Sequence, residues 1–523
     1  MPLRWPWQHR VVKFQWIVFG LTFYSHMAMH ATRKALSNIK AELTEDEWFG
    51  EGEDANVSYL SVLDTCFLIA YAAGLFFMGA VGDRVNRRRL LAFGMVGAAA
   101  LTGAFGLFGL MGVHARGLYG FIWTLNGLVQ SISWPNNVAV MSNWFQESSR
   151  GRVLGIWSGN QSSGNVLGSV ATLLVLVIAR GGFGGWQFAM IVNGGLALLS
   201  GVLMLAFLPL KPEDVGEVLP DDPDGPDAPV EHDAVRLIDA DEHASPGSPG
   251  ASPSAAAKPP TSASSSTSSS TGSLILSDED ARRDLELRVD GAPSPALAMP
   301  AISILDAVRI PGVISFSLSY AAVKCVNYTL FFWLPFFLSK QFDLSTEAAN
   351  GMSNYYDISQ VVGGVVAGYI SDRMYSRRSP IVVAFLVLAI LPLFLLQAKT
   401  SMFGLTVLLL VTGFLVGGPA NLISAAISAD LGKHESVVGN AQAEATVTGI
   451  VDGTGSAGAA LGQLLVGILS KHAGWSAVFA MLVTSCAMAS VFLIRLFIKD
   501  MRYVIHRRRL RARRPSFDPS TSF

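Results

Sequence analysis

Twelve apolar runs, each about twenty residues or longer, recur along almost the whole of this 523-residue chain. A run of that length is what an α-helix needs to cross the hydrocarbon core of a bilayer. Inside hydrocarbon every backbone N–H and C=O must be paired within the segment, so a chain built this way folds as a bundle of membrane-spanning helices. The runs lie at approximately 14–35, 57–82, 90–113, 117–141, 153–179, 186–208, 313–338, 352–370, 380–397, 402–427, 446–469 and 475–497. Six precede a long polar segment and six follow it. The fold class read from this pattern is all-α and multi-pass, with twelve transmembrane helices in two pseudo-symmetric six-helix halves. Only 15% of the residues are charged and 51% are hydrophobic, too few charges to wet the surface of a soluble protein of this size.

The net charge of −1 hides an uneven distribution. Residues 211–290 hold 18 acids and 6 bases, which leaves 21 acids against 32 bases in the rest of the chain. Those bases sit at the ends of apolar runs and not on a soluble patch interleaved with aromatics, which argues against a nucleic-acid partner and for the lipid bilayer. The positive-inside rule then sets the topology. Arg84, Arg87, Arg88 and Arg89 follow the second run, Arg373, Arg377 and Arg378 follow the eighth, and the tail holds Arg507, Arg508, Arg509, Arg511, Arg513 and Arg514. All of these, with both termini, are expected on the cytoplasmic side, and the acidic loop from Glu42 to Asp54 on the opposite one. The expected organisation is a cytoplasmic N-terminus at 1–13, an N-terminal half at 14–210, a disordered acidic and Ser/Pro-rich cytoplasmic linker at 211–300, a C-terminal half at 301–498 and a basic tail at 499–523. The linker cannot bury enough apolar surface to offset its chain entropy. Cys66, Cys325 and Cys486 all lie in apolar runs, so neither a disulfide framework nor a metal site is read from them, and no cofactor is expected.

One pattern occurs twice. Gly79-Ala-Val-Gly-Asp83-Arg84-Val-Asn-Arg87-Arg88 follows the second run, and Gly368-Tyr-Ile-Ser-Asp372-Arg373-Met-Tyr-Ser-Arg377-Arg378 follows the eighth. A repeat at equivalent places of two six-span halves implies a transporter with its substrate cavity between the halves. The glycine is expected to permit close helix packing. Asp83, Arg84, Arg87, Asp372, Arg373 and Arg377 are expected to form a cytoplasmic gate. The charges also serve as plain topology determinants, but that accounts for the arginines and not for a glycine and an aspartate at matched spacing.

This is the loop pattern of the major facilitator superfamily, which the chain resembles across all twelve runs. Asn143-Trp144-Phe145, Arg150-Gly151, Gly155-Ile156-Trp157 and Gly164-Asn165-Val166-Leu167-Gly168-Ser169 resemble the span 4–5 region of the organophosphate:phosphate antiporters. Trp134-Pro135, Tyr328 through Trp333-Leu334-Pro335, Gly417-Gly418-Pro419, Ser428-Ala429-Asp430-Leu431-Gly432 and Asp452-Gly453-Thr454-Gly455 are similar to the sugar-phosphate exchangers of solute carrier family 37. Several separated motifs in the right order make this resemblance specific.

A phosphate ester at mid-membrane loses water around its negative charge, so its site needs fixed cations and donors. Ionisable residues within the spans are the candidates. In the first run Ser25, His26, His30 and Arg33 share roughly one helical face, with Lys34 adjacent. From the residues alone, Arg33-Lys34 fits either a cavity lining or a pair snorkelling at a helix end; the resemblance implies the phosphate-contacting pair of the antiporters. Lys324 has about ten apolar or neutral residues on either side and needs an anion. The resemblance implies that it faces Arg33 across the pseudo-twofold axis, with Asn327 and Tyr328 as neighbours and Asn327 as the other register for the second basic position. Asn160 and Gln161 stand where relatives often carry a histidine, which weakens the case for proton coupling there. Leu75 stands where bacterial members have a lysine. For Asp64 and Asp452 a structural role is expected over ligand contact, and Asn126, Gln130, Asn136 and Asn137 fit either sugar contacts or interhelical bonds.

The function expected is secondary exchange of a phosphorylated sugar or related organophosphate for inorganic phosphate by alternating access, with no enzyme chemistry. No phosphate-binding Gly-x-x-x-x-Gly-Lys loop is present to support ATP-driven transport. The rivals are a proton- or ion-coupled transporter of another organic anion and a transport-inactive sensor or scaffold. The resemblance favours the endoplasmic reticulum, with the plasma membrane or a plastid envelope as alternatives.

Overall fold

The computed structural model describes residues 10–145, 153–179, 185–217, 303–375, 377–432 and 443–513. The expected linker falls almost wholly outside them. Both halves belong to one compact unit, Met1–Gly225 with Ala301–Phe523. The N-terminal half contains α1 (Arg10–Glu45), α2 (Glu53–Arg84), α3 (Arg87–Leu110), α4 (Arg116–Gln130), α5 (Ser133–Trp144), α6 (Asn160–Ala179) and α7 (Trp186–Phe207). The C-terminal half contains α8 (Val313–Phe342), α9 (Thr346–Arg373), α10 (Ser379–Leu395), α11 (Met402–Asn421) and α12 (Ala443–Arg513). Among the described residues, seven helical stretches are long and apolar enough to cross a membrane by length and composition. Large apolar side chains face outward around the bundle, among them Phe77, Phe93, Phe121, Leu391, Phe403 and Val491, a surface suited to lipid and not to water.

The helices follow the apolar runs, with four instructive differences. The fourth run is broken at Ser131-Ile132 into α4 and α5. Pro135 has no N–H to offer the carbonyl four residues earlier, which weakens the ladder at that point. The last two runs form one element whose break falls at Gly474, where φ 71 turns the chain between two helices. Past the expected end at 497 the helix continues to Arg513, because Arg and Lys are good helix formers once no burial is demanded of them. Likewise α1 runs ten residues beyond its expected end at 35, since Leu36, Ile39 and Leu43 stay buried.

Close helix crossings hold each half together. A Cβ on Gly127 of α4 would stand 2.2 Å from the Phe67 carbonyl oxygen of α2, and one on Gly413 of α11 would stand 2.2 Å from the Tyr356 carbonyl oxygen of α9. Gly368, in the repeated pattern, has nothing within 4 Å of such a Cβ, so close packing does not account for it. Along the seam between halves α1 meets α8, α6 meets α9, and α2 lies against the first part of α12. The apolar core of the N-terminal half extends across that seam to Tyr328, Phe331, Phe332, Trp333 and Phe336 of α8.

Candidate functional site

Among the described residues, four Lys or Arg side chains are buried in the bundle: Arg33, Lys34 and Lys40 on α1, and Lys324 on α8. A buried charge must be paired or pay heavily in lost hydration, and three of these are paired. Lys40 forms an ion pair with Asp64 of α2 and lies 3.6 Å from the centroid of the Trp333 ring. Lys34 lies 3.2 Å from Asp357 of α9. Lys324 Nζ donates to Asp452 at 2.8 Å and to Ser456 at 3.0 Å. Arg33 differs. Its Nε donates to Gln130 Oε1 at 2.6 Å, its guanidinium rests 4.4 Å from the Tyr71 ring centroid, and Nη1 and Nη2 are buried with no hydrogen bond. These are the two nitrogens that present a planar fork to a carboxylate or phosphate.

Prolines set much of this geometry. In α8, Pro335 leaves the Phe331 carbonyl without its helical donor, and α1 uses it: Lys34 Nζ donates to that oxygen at 3.2 Å and Ser37 Oγ at 2.8 Å. In the N-terminal half the break before Pro135 ends α4 at Gln130, which donates to Thr32 and Asn126 at 3.1 Å each while accepting from Arg33. The amide is thereby fixed with its oxygen toward the guanidinium. A polar chain then runs across the seam. His30 Nδ1 lies 3.2 Å from Asn165 Oδ1, Asn165 Nδ2 donates to Asp357 Oδ1 at 2.7 Å, and Asp357 pairs with Lys34.

The residues singled out from the sequence separate into groups. Arg33, Lys34, His30 and Lys324 are buried in the bundle interior. Asn160 is also buried, and neither of its amide atoms has a partner; Gln161 is half-buried. Asn327 Oδ1 accepts from the Tyr356 hydroxyl at 2.8 Å. Tyr328 packs on Phe331 and Phe332, with Lys324 5.5 Å from its ring centroid. Leu75 is core. Asp64 and Asp452, expected as structural, are the carboxylates that neutralise Lys40 and Lys324.

At the repeated pattern, the side chain of Asp83 is outside the described residues, Arg84 and Asp372 are exposed, and Arg87 is partly buried. Arg373 lies over the Tyr369 ring at 4.5 Å. Arg377 pairs with Asp500 at 3.4 Å, and the adjacent Arg378 with Asp430 at 2.6 Å. Both of these pairs lie within the C-terminal half and do not cross the seam.

Two residues that complete the charge pattern escaped the sequence reading. Lys40 stands five residues beyond the expected end of the first span, and Asp357 lies in a run diluted by Asn354, Ser359 and Gln360. The available signal was the same one that marked Lys324: an ionisable side chain within a hydrophobic stretch.

Residues 18–443 match the Major Facilitator Superfamily. Over 95% of its length the chain is 36% identical to Sugar phosphate exchanger 3 of Gallus gallus, covering 94% of that protein. It is 34% identical to Glucose-6-phosphate exchanger SLC37A1 of Mus musculus, over 93% of this chain and 94% of that one. It is also 34% identical to Putative glycerol-3-phosphate transporter 1 of Arabidopsis thaliana, over 93% of this chain and 88% of that one. Among solved structures, a bacterial homologue of the human lysosomal transporter Spinster, inward-facing and unoccupied, superposes with a TM-score of 0.58 over 93% of this chain and 98% of that one. At 14% identity that likeness concerns the fold alone. The helical bundle with its outward apolar surface is an integral membrane protein, and the chain belongs to the Major Facilitator Superfamily and, within it, to the family of the sugar phosphate exchangers.

Proposed function

We propose that this protein exchanges a sugar phosphate or related organophosphate for inorganic phosphate by alternating access, with Arg33 as the principal phosphate ligand. The observation that carries the reading is the contrast among the four Lys and Arg side chains buried among the described residues. Lys34, Lys40 and Lys324 each have a carboxylate partner, while the fork of Arg33 has none. An unneutralised guanidinium in a low-dielectric interior favours an anion strongly, and bidentate binding suits a phosphate oxygen pair. The names of the similar exchangers and glycerol-phosphate transporters support the same substrate class for this chain.

Lys324 supplies a second cation from the opposite half. It reaches an incoming phosphate by loosening its hold on Asp452, so the ligand exchanges places with an internal anion. Lys34 contributes through its bond to Asp357 and its hold on the Phe331 carbonyl, which close the seam beside the site. An empty cationic cavity resists closure, and either anion relieves that resistance, which favours one-for-one exchange over uniport. The polar segment 211–300 then joins the halves as a tether, with both termini in the cytoplasm and the endoplasmic reticulum as the membrane.

The test is uptake of radiolabelled phosphate into proteoliposomes preloaded with phosphate or with a panel of organophosphates. Wild type is expected to exchange, and Arg33→Ala and Lys324→Ala to lose exchange. Wild-type rates in both variants overturn the proposal. Deleting Pro220 to Pro295 is expected to leave exchange intact, whereas a scaffold would lose its output.

A further inference from the structure

An open pocket of about 540 Å³ lies at one end of the N-terminal half, between the start of α3 and the end of α7. Asn86, Arg88, Arg89, Leu205, Leu210 and Asp214 line it. Most of its polar groups are committed to holding the chain. Asn86 Oδ1 accepts from the Arg89 N–H at 3.2 Å, and Asp214 Oδ2 accepts from the N–H groups of Leu210 and Lys211 at 2.9 and 3.3 Å. The Leu210 carbonyl accepts from Asn143 at 3.1 Å. The two guanidiniums are not committed in this way. Among the described residues neither is ion-paired with a carboxylate, and Arg88 Nε is buried with no hydrogen bond, an uncommon state for a buried donor.

The repeated pattern makes the difference plain. Arg88 closes it in the N-terminal half and Arg378 in the C-terminal half. Arg378 is neutralised by Asp430 at 2.6 Å, and its neighbour Arg377 by Asp500 at 3.4 Å. Charges that only set topology have no reason to be neutralised in one half and left facing a pocket in the other. Helix stability does not account for them either, since the first turn of α3 holds three arginines and no acid, the reverse of what the helix dipole favours.

Next to the pocket the surface turns apolar. Phe93 and Val96 of α3 and Val202 and Leu205 of α7 are exposed, and Phe93, four residues on from Arg89, shares its face. A molecule with a phosphorylated head and a long apolar body matches both surfaces at once, whereas a free phosphate ester matches only the first.

We propose that Arg88 and Arg89 form a site for an anionic phospholipid, its phosphorylated headgroup in the pocket and its acyl chains along α3 and α7. The guanidiniums bind the headgroup phosphate through their planar forks, and basic pockets between spans at the membrane surface suit such headgroups. The site lies in the N-terminal half, away from the seam, and is independent of the role given to Arg33.

The experiment titrates the detergent-solubilised full chain with phosphatidylinositol 4-phosphate or with phosphatidylcholine and counts bound lipid by native mass spectrometry. Wild type is expected to prefer the phosphoinositide. Arg88→Gln/Arg89→Gln should bind it about thirtyfold more weakly, while Arg508→Gln/Arg509→Gln, which removes the same charge from an exposed stretch of α12, should stay within about threefold of wild type. If the first double variant fails to fold, Arg89→Gln alone, at an exposed position, should weaken binding about fivefold. Equal weakening in both double variants, no weakening on loss of the pocket arginines, or equal affinity of wild type for the two lipids overturns the site. Displacement of the lipid by an equal concentration of its water-soluble headgroup would make the occupant a free phosphate ester. Lipid binding that appears only after residues 220–295 are deleted would make it that acidic segment, and either result overturns the lipid.

Discussion

Asp357 of α9 holds Lys34 of α1 at 3.2 Å with both side chains buried, so an ion pair bridges the two halves of the protein. The carboxylate also accepts from Asn165 of α6, and Asn350 Nδ2 of α9 donates to the Asn38 carbonyl of α1 at 3.1 Å. Seam contacts of this kind must break and re-form if the halves rock, and their strength sets how readily they do.

Removing one member of that pair leaves its partner charged and buried. Asp357→Ala should therefore cost about 3–5 kcal/mol, while replacing both members with apolar residues of similar volume should cost far less. The measurement is the thermal midpoint in detergent of Asp357→Ala, Lys34→Met and the Lys34→Met/Asp357→Leu double variant. A double variant no more stable than Asp357→Ala would show that packing, and not charge, is what the site needs.

The pair of Lys324 with Asp452 has a different consequence. Asp452→Asn removes the internal anion that neutralises Lys324 at 2.8 Å, so the free protein loses stability and a bound phosphate becomes the only counterion. Wild type at phosphate equal to 100 times its dissociation constant gains about 2.7 kcal/mol by mass action, and Asp452→Asn should gain more at the same phosphate concentration. Melting with and without phosphate checks this. Equal gains would mean that Asp452 does not compete with the ligand.

What the sequence disclosed and what it withheld divide along a physical line. Lys324 stood out because an ionisable residue deep within an apolar run carries a large solvation penalty, whereas Arg33, near the end of its run, fitted a snorkelling residue equally well and was singled out by the family resemblance. Their partners were not legible. Lys34 and Asp357 stand more than three hundred residues apart, and their meeting depends on how α1 of one half lies against α9 of the other. The break between α4 and α5 is intermediate: Pro135 was in plain view, but that its effect would aim Gln130 at Arg33 follows only from where α1 lies. The all-helical class and the places of the apolar runs were legible from hydropathy, whereas the extensions were not: that of α1 depends on the burial of Leu36, Ile39 and Leu43, and that of α12 on helix propensity.

Glu42 lies on α1 beyond the expected span, near Glu45 of the same helix, Asp46 of the turn that follows and Glu347 of α9. Burial, and then Asp46, Glu347 and Glu45, push its carboxyl from 4.5 up to about 7. A raised carboxyl favours the protonated folded form, so the stability it contributes is fully present below pH 4.5 and is lost as pH climbs toward 7. Glu42→Gln should match wild type at pH 4.5 and melt higher at pH 8. Parallel melting curves across this range would remove Glu42 as the source.

Glycine positions separate packing from patterning. An added methyl at Gly413 would meet the Tyr356 carbonyl oxygen and Ser359 Oγ, each at 2.2 Å, whereas at Gly368 it would meet nothing within 4 Å. Gly413→Ala must push α11 from α9 and should cost about 1–3 kcal/mol or more, the usual range for overpacking. Gly368→Ala should be neutral or stabilising by up to about 1 kcal/mol, from helix propensity alone. Thermal midpoints of the two variants decide the matter, and a Gly368→Ala as damaging as Gly413→Ala would mean that the glycine of the repeated pattern is pressed by a contact formed only when the halves take up another arrangement.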